Sequence, residues 1–145
     1  MTDDKGSIGA LIEDFHSAVH DKDAQKAVAC FADDALIFDL SPPLQSKPYR
    51  ARSNPELENW FATWRGPIVV ANRDLVIETG GEIGYSQSLQ HLTGTKLDGE
   101  DVDLWYRATM GFRRINDRWQ IAHLHESVPF AMDGSGRALL NLSPQ

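Results

Sequence analysis

The chain has 145 residues, 41% of them hydrophobic, and a formal net charge of −7, which suits one domain with a sizeable core and leaves little room for a second. Its 14 Lys and Arg are scattered among 21 Asp and Glu, which argues against nucleic acid or an anionic membrane as a partner. A single cysteine, Cys30, excludes an internal disulfide and a multi-cysteine metal site. No basic-then-apolar leader and no membrane-length apolar run is found, so the expectation is a soluble, cytoplasmic chain.

Taken in order, Ile8, Leu11, Ile12, Phe15, Ala18 and Val19 recur at helical spacing and predict an amphipathic helix to about His20, with His16 and His20 on its solvated face. Asp21-Lys22-Asp23 caps a second helix through Ala27, Val28 and Phe31, with Cys30 on its apolar side as a small hydrophobe. Ala32-Asp33-Asp34 ends it before a short strand, Ala35-Leu36-Ile37-Phe38. Pro42-Pro43 breaks regular structure, and Ser53-Asn54-Pro55 opens a third helix running to Arg65, with Leu57, Trp60, Phe61 and Trp64 inward. Gly66-Pro67 stops it. From Ile68 the period becomes two: strands are predicted over 68–78, 83–97, 102–114 and 119–132, separated by Gly80-Gly81, Asp98-Gly99 and Asn116-Asp117. Helices first and a meander afterwards describe a single α+β domain over 1–145, with 133–145 a loosely packed tail.

Phe31-Ala32-Asp33-Asp34-Ala35-Leu36-Ile37-Phe38-Asp39, the helix pair before it, Trp105-Tyr106-Arg107-Ala108-Thr109, and the closing strand with Trp119, Ile121, His123, His125, Ser127 and Pro129 resemble the nuclear-transport-factor-2-like superfamily. The resemblance is strongest to its SnoaL-like, ketosteroid-isomerase-related members. It implies a cone-shaped fold in which three N-terminal helices pack on a strongly curved, mainly antiparallel sheet enclosing a pocket. It also implies dimerisation through the outer sheet face. In ketosteroid isomerases an aspartate at the position of Asp39 is the general base. The tyrosine and the acid that hold the oxyanion there fall on Phe15 and near Met110, neither of which donates a hydrogen bond, so steroid isomerisation is disfavoured.

The candidate site is built from the polar residues that interrupt apolar strands. Asp39 follows an apolar strand and precedes a diproline, which suits either a base at a cavity mouth or an acceptor for the amides of its own turn. Arg107 within a strand needs an anion if buried and none if it points outward. The expectation carried forward is that Arg107 shares a cavity with Asp39, with Trp105 and Thr109 beside it on the same strand. His123, His125 and Ser127 share a face with Trp119 and Ile121 on an unbroken strand. Two registers of the last hairpin remain open: one sets Arg107 opposite Glu126, the other opposite His125. His123 and His125 are two ligands short of a metal site, and no nucleotide, phosphate-loop or zinc-protease motif occurs, so neither metal nor cofactor is expected. Gln87 and His91, on a face with Tyr85 and Leu89, are further lining candidates.

The resulting reading is a small-molecule pocket protein, acting if catalytic as a cofactor-independent isomerase, lyase or hydrolase. Asp39 and His125 are its catalytic candidates; Arg107, Trp105, Thr109, His123, Ser127 and Trp60 are its ligand-binding candidates. A non-catalytic ligand-binding or dimeric association domain is the alternative.

Overall fold

The computed structural model describes residues 3–46 and 54–145, and the expected helix-opening Ser53 lies outside them. The element order is α1 (Asp4–His20), α2 (Ala24–Ala29), β1 (Phe31–Phe38), α3 (Asn54–Phe61), β2 (Trp64–Gly80), β3 (Ile83–Lys96), β4 (Asp101–Ile115) and β5 (Arg118–Ser127). Asp3 caps α1 by accepting from Gly6 N at 3.0 Å, and Asp23 caps α2 by accepting from Lys26 N at 3.1 Å. Ile8 and Ile12 on α1 are sealed against Phe31, Ile37, Met110, Phe112 and Ile121 of the sheet, and full burial of each such side chain contributes about 1.5–3 kcal/mol. Cys30 is buried, its Sγ 3.5 Å from the Lys26 carbonyl, and burial pushes its thiol up to about 11.

The strands form one curled, unclosed sheet in the order β1-β5-β4-β3-β2. All neighbours are antiparallel except β1 and β5, which run parallel. No helix among the described residues is long and apolar enough to cross a membrane. The segment after β5 folds back on itself through Ala131 N to Arg137 O (2.7 Å) and Leu139 N to Pro129 O (2.8 Å).

Three boundaries differ from those read in the sequence, one of them the end of the last strand, which stops at Ser127 rather than at 132. The third helix ends at Phe61 rather than Arg65, because Trp64 pairs with Lys96 and begins β2; a bulge between Arg65 and Val69 absorbs Gly66 (φ 73°) and Pro67. Trp64 is only 3% exposed, its ring lying against Gly94, where a Cβ would meet the indole at 2.8 Å. The first strand starts at Phe31, not Ala35: Phe31 is already paired with Ile121, and an irregularity between Phe31 and Leu36 turns Asp33 and Asp34 to solvent while Ala35 stays buried.

Candidate functional site

The inner face of the sheet, the first and third helices and the chain after β1 enclose a cavity of about 530 Å³, a size typical of small-molecule sites. Much of its wall is apolar, including Phe15, Ile37, Trp60, Trp64, Leu92 and Leu124. Across that wall runs a row of polar side chains placed by strand register. Asn72 on β2 is opposite Gln90 on β3, which is opposite Tyr106 on β4. Glu126 on β5 is opposite Ala108, two residues from Tyr106 and on the same face. The parallel pairing of Phe38 with His125 brings the next residues on each strand, Asp39 and Glu126, side by side.

Gln90 is 2% exposed; its Nε2 donates to Asn72 Oδ1 at 3.1 Å, where Ser88 Oγ also donates at 3.1 Å. The same amide nitrogen lies 3.5 Å from Nε2 of His16, which reaches the cavity from α1. In that amide orientation the imidazole accepts at Nε2 and carries its proton on Nδ1. Burial lowers the His16 pKa to about 4, so the ring is neutral at pH 7.

The electrostatic centre of the cavity is Glu126. Burial, then the charge of Asp39 and a hydrogen bond to it, push the Glu126 carboxyl up to about 8. At neutral pH Glu126 therefore keeps its proton and donates it toward the Asp39 carboxylate, whose Oδ1 also accepts from Leu40 N at 2.7 Å. The pair holds one proton between two carboxyls. Tyr106, 6% exposed, has its phenol raised by burial and then by the charges of Glu126 and Asp39, so it remains a donor across the working pH range.

Of the residues singled out in the sequence, Asp39 and Trp60 line the cavity, and Arg107, Trp105, Thr109, His123, His125 and Ser127 do not. A bulge accounts for the difference. Phe112 pairs with Ile121, as a two-residue turn at Asn116-Asp117 requires, but Gly111 pairs with His123, so Ala122 is an extra residue on β5. Beyond it the faces exchange. Trp119 and Ile121 point inward and so do Leu124 and Glu126, while His123, His125 and Ser127 turn outward. Both hairpin registers considered from the sequence are thereby superseded: Arg107 is opposite Ser127 and Thr109 opposite His125. Arg107 is exposed and donates from Nε to Ser127 Oγ at 3.1 Å, so it needs no buried anion and is not a partner of Asp39. Trp105 stacks on His91 at 4.2 Å, and His91 meets Asp103 at 2.6 Å. His123 donates from Nδ1 to the Leu36 carbonyl at 2.7 Å, and Phe38 packs edge-on against both His123 and His125.

Sequence reasoning missed Glu126, Tyr106, Gln90 and His16 as cavity residues. For His16 a signal was present: Ile12, His16 and Val19 follow the i, i+4, i+7 spacing of the buried stripe. Gln90 occupies a face with Gly84, Ser86 and Ser88, where small and polar side chains disguise an inward orientation.

A sheet with this strand order, helices over its inner face and a cavity between them defines a cone of the nuclear-transport-factor-2-like class. Residues 8–131 match the SnoaL-like domain family, and the chain belongs to that family. It is similar to the structure of an NTF2-like protein of unknown function from Pseudomonas putida KT2440, with 31% identity, a TM-score of 0.84, and coverage of 97% of this chain and 96% of that one. It also shares its fold with a protein from Streptomyces avermitilis provisionally called a dehydratase (16% identity, TM-score 0.73, 87% and 96% covered). A protein from Shewanella frigidimarina provisionally called a ketosteroid isomerase is likewise similar in fold (22% identity, TM-score 0.69, 86% and 96% covered). Among curated proteins none matches the chain.

The carboxyl pair has a consequence for stability. Between the ordinary Glu126 value of 4.5 and the raised value of about 8, the folded chain binds a proton that the unfolded chain has lost, so stability falls as pH rises through this window. Glu126→Gln removes that dependence. Urea unfolding at pH 5 and pH 9 should show the variant gaining on the wild type by about 2–4 kcal/mol over the interval; an unchanged difference between the two pH values would mean that Glu126 is ionised in the folded protein.

Proposed function

We propose that this protein is a cofactor-independent isomerase or lyase that works by proton transfer on a compact, largely apolar carbonyl compound held in the cavity. The observation that carries this reading is the protonated Glu126 against Asp39 in an enclosed, mainly apolar space. An ionised carboxylate beside a carboxylic acid supplies a base and an acid at one pH. Asp39 takes a proton from the carbon next to the carbonyl, and the electron pair of that C–H bond moves toward the carbonyl oxygen. Glu126 supplies a proton to that oxygen, with the Tyr106 hydroxyl as a second donor to the developing charge. Delivery of the Asp39 proton to another carbon, with the enol O–H proton returned to Glu126, completes an isomerisation; delivery of the Asp39 proton to a β-hydroxyl that leaves as water, with the enol proton again returned to Glu126, completes a dehydration.

The competent form needs Asp39 ionised and Glu126 protonated, so the rate should fall as pH rises through about 8. Exchange of α-protons for deuterium in a panel of cyclic and aryl ketones, 2-tetralone among them, reads the first step directly by NMR. Asp39→Asn should lower the exchange rate by roughly 10²–10⁴-fold with the fold intact, and Glu126→Gln should lose the decline above pH 8. Wild-type rates retained by Asp39→Asn would remove proton transfer from the account.

The functional unit in this reading is a homodimer. Val69, Val76, Ile83 and Tyr85 stand at 40–63% exposure on the outer part of the sheet beside Trp105 and His91, and an isologous contact would cover such a face. Light scattering at micromolar concentration should return twice the 16.2 kDa chain mass; a monomer throughout would leave the outer face as a surface without this role.

A further inference from the structure

We propose that the cavity takes a ligand carrying a carboxylate, whose anionic end pairs with Lys96 while the remainder extends toward Asp39 and Glu126. This names the substrate class of the proposed site and rests on the cavity being where the ligand binds, not on proton transfer itself. Lys96, at the end of β3, is the one Lys or Arg on the cavity wall among the described residues. Its Nζ donates to Thr63 Oγ1 at 3.0 Å and lies 3.9 Å from the centre of the Trp64 ring and 5.9 Å from that of Trp60. These contacts fix the ammonium beside the aromatic wall. An ammonium has three donors, and Thr63 takes one. No carboxylate of the described residues forms an ion pair with it, although the chain carries a net charge of −7.

The placement of charge also dictates ligand orientation. Asp39 and Glu126 occupy the β5 side of the cavity, the exposed Glu56 lines it from the first turn of α3, and the cation stands where β2 and β3 meet, beyond Leu92 and Val70. A ligand carboxylate is repelled from the first region and attracted to the second. In a cavity with largely apolar walls that difference is poorly screened. The middle of the ligand then lies along Val70, Leu92 and Val102, and its far end meets Tyr106 and the carboxyl pair. A neutral ligand of the same shape has no such preference.

The test compares 2-naphthoate with 2-naphthamide, which match in shape and differ in charge, by calorimetric titration at pH 7. A charge-assisted hydrogen bond predicts that the wild type binds the naphthoate at least about tenfold more tightly. Lys96→Met, which keeps the stem over Trp64, should bring the ratio close to one, and Lys96→Arg should preserve most of it. Circular dichroism and thermal melting establish that each variant is folded. Asp39→Asn should lose proton exchange while the preference for the naphthoate persists or rises, since one repelling charge is gone, so the substrate class and the reaction stand or fall separately. Equal affinities in the wild type, a preference that survives in folded Lys96→Met, or no binding of either compound at millimolar concentration would each overturn the proposal. Should Lys96→Met fail to fold, the wild-type ratio and its decrease between 20 and 300 mM salt decide, since pairing with a cation weakens as salt rises.

Discussion

One extra residue in the last strand sets the chemistry of the cavity. Side chains on a strand alternate with a period of two, so inserting Ala122 between the Phe112–Ile121 and Gly111–His123 pairs exchanges the two faces for every later position. On the near side of the bulge the strand delivers Trp119 and Ile121 to the core; on the far side it delivers Leu124 and Glu126. Without it, His123 and His125 would line the cavity and Glu126 would stand in solvent beside Arg107. The parallel pairing of β1 with β5 uses the shifted frame, because Phe38 opposite His125 is what brings Asp39 beside Glu126.

From that placement the electrostatics follow. A carboxyl enclosed by protein and facing a second carboxyl ionises reluctantly, and the acid so preserved lies next to Asp39, which also accepts from Leu40 N. Two further titratable groups on the wall are held neutral at pH 7, Tyr106 by a raised phenol and His16 by a lowered imidazole. Nothing in this set competes with Asp39 for the proton of Glu126. Lys96 supplies the compensating charge at a distance, over the indole of Trp64. Charge is thus divided along the cavity rather than paired across it.

Much of the architecture was legible in the chain because it rests on local chemistry. The cap at Asp23, the apolar stripe of α1, and the turn dipeptides at Gly80-Gly81, Asp98-Gly99 and Asn116-Asp117 each act within a few residues. Asp39 belongs with these, since its position at the end of a short apolar strand needs no knowledge of pairing. The rest depended on contacts distant in sequence. Trp64 looked helical until its pairing with Lys96 and its seat on Gly94 are considered. His123, His125 and Ser127 share a face with Trp119 and Ile121 only if strict alternation continues through Ala122, and no residue type there marks a bulge, which glycine or proline elsewhere often does; the inward reading of Arg107 rested instead on the cost of burying a guanidinium. Glu126 was therefore read as a neighbour of the site rather than its centre, although it lies within the motif that carried the family resemblance.

The central claim is that Glu126 is protonated at neutral pH because it is buried in the cavity and faces Asp39 there. A pH titration of the Glu126 side-chain carboxyl carbon by NMR, in the wild type and in Asp39→Asn, reads this without any ligand or activity. The account predicts a midpoint near 8 in the wild type, falling by only part of the shift once the charge of Asp39 is removed, because the burial remains. A wild-type midpoint close to 4.5, the same in both proteins, would contradict it.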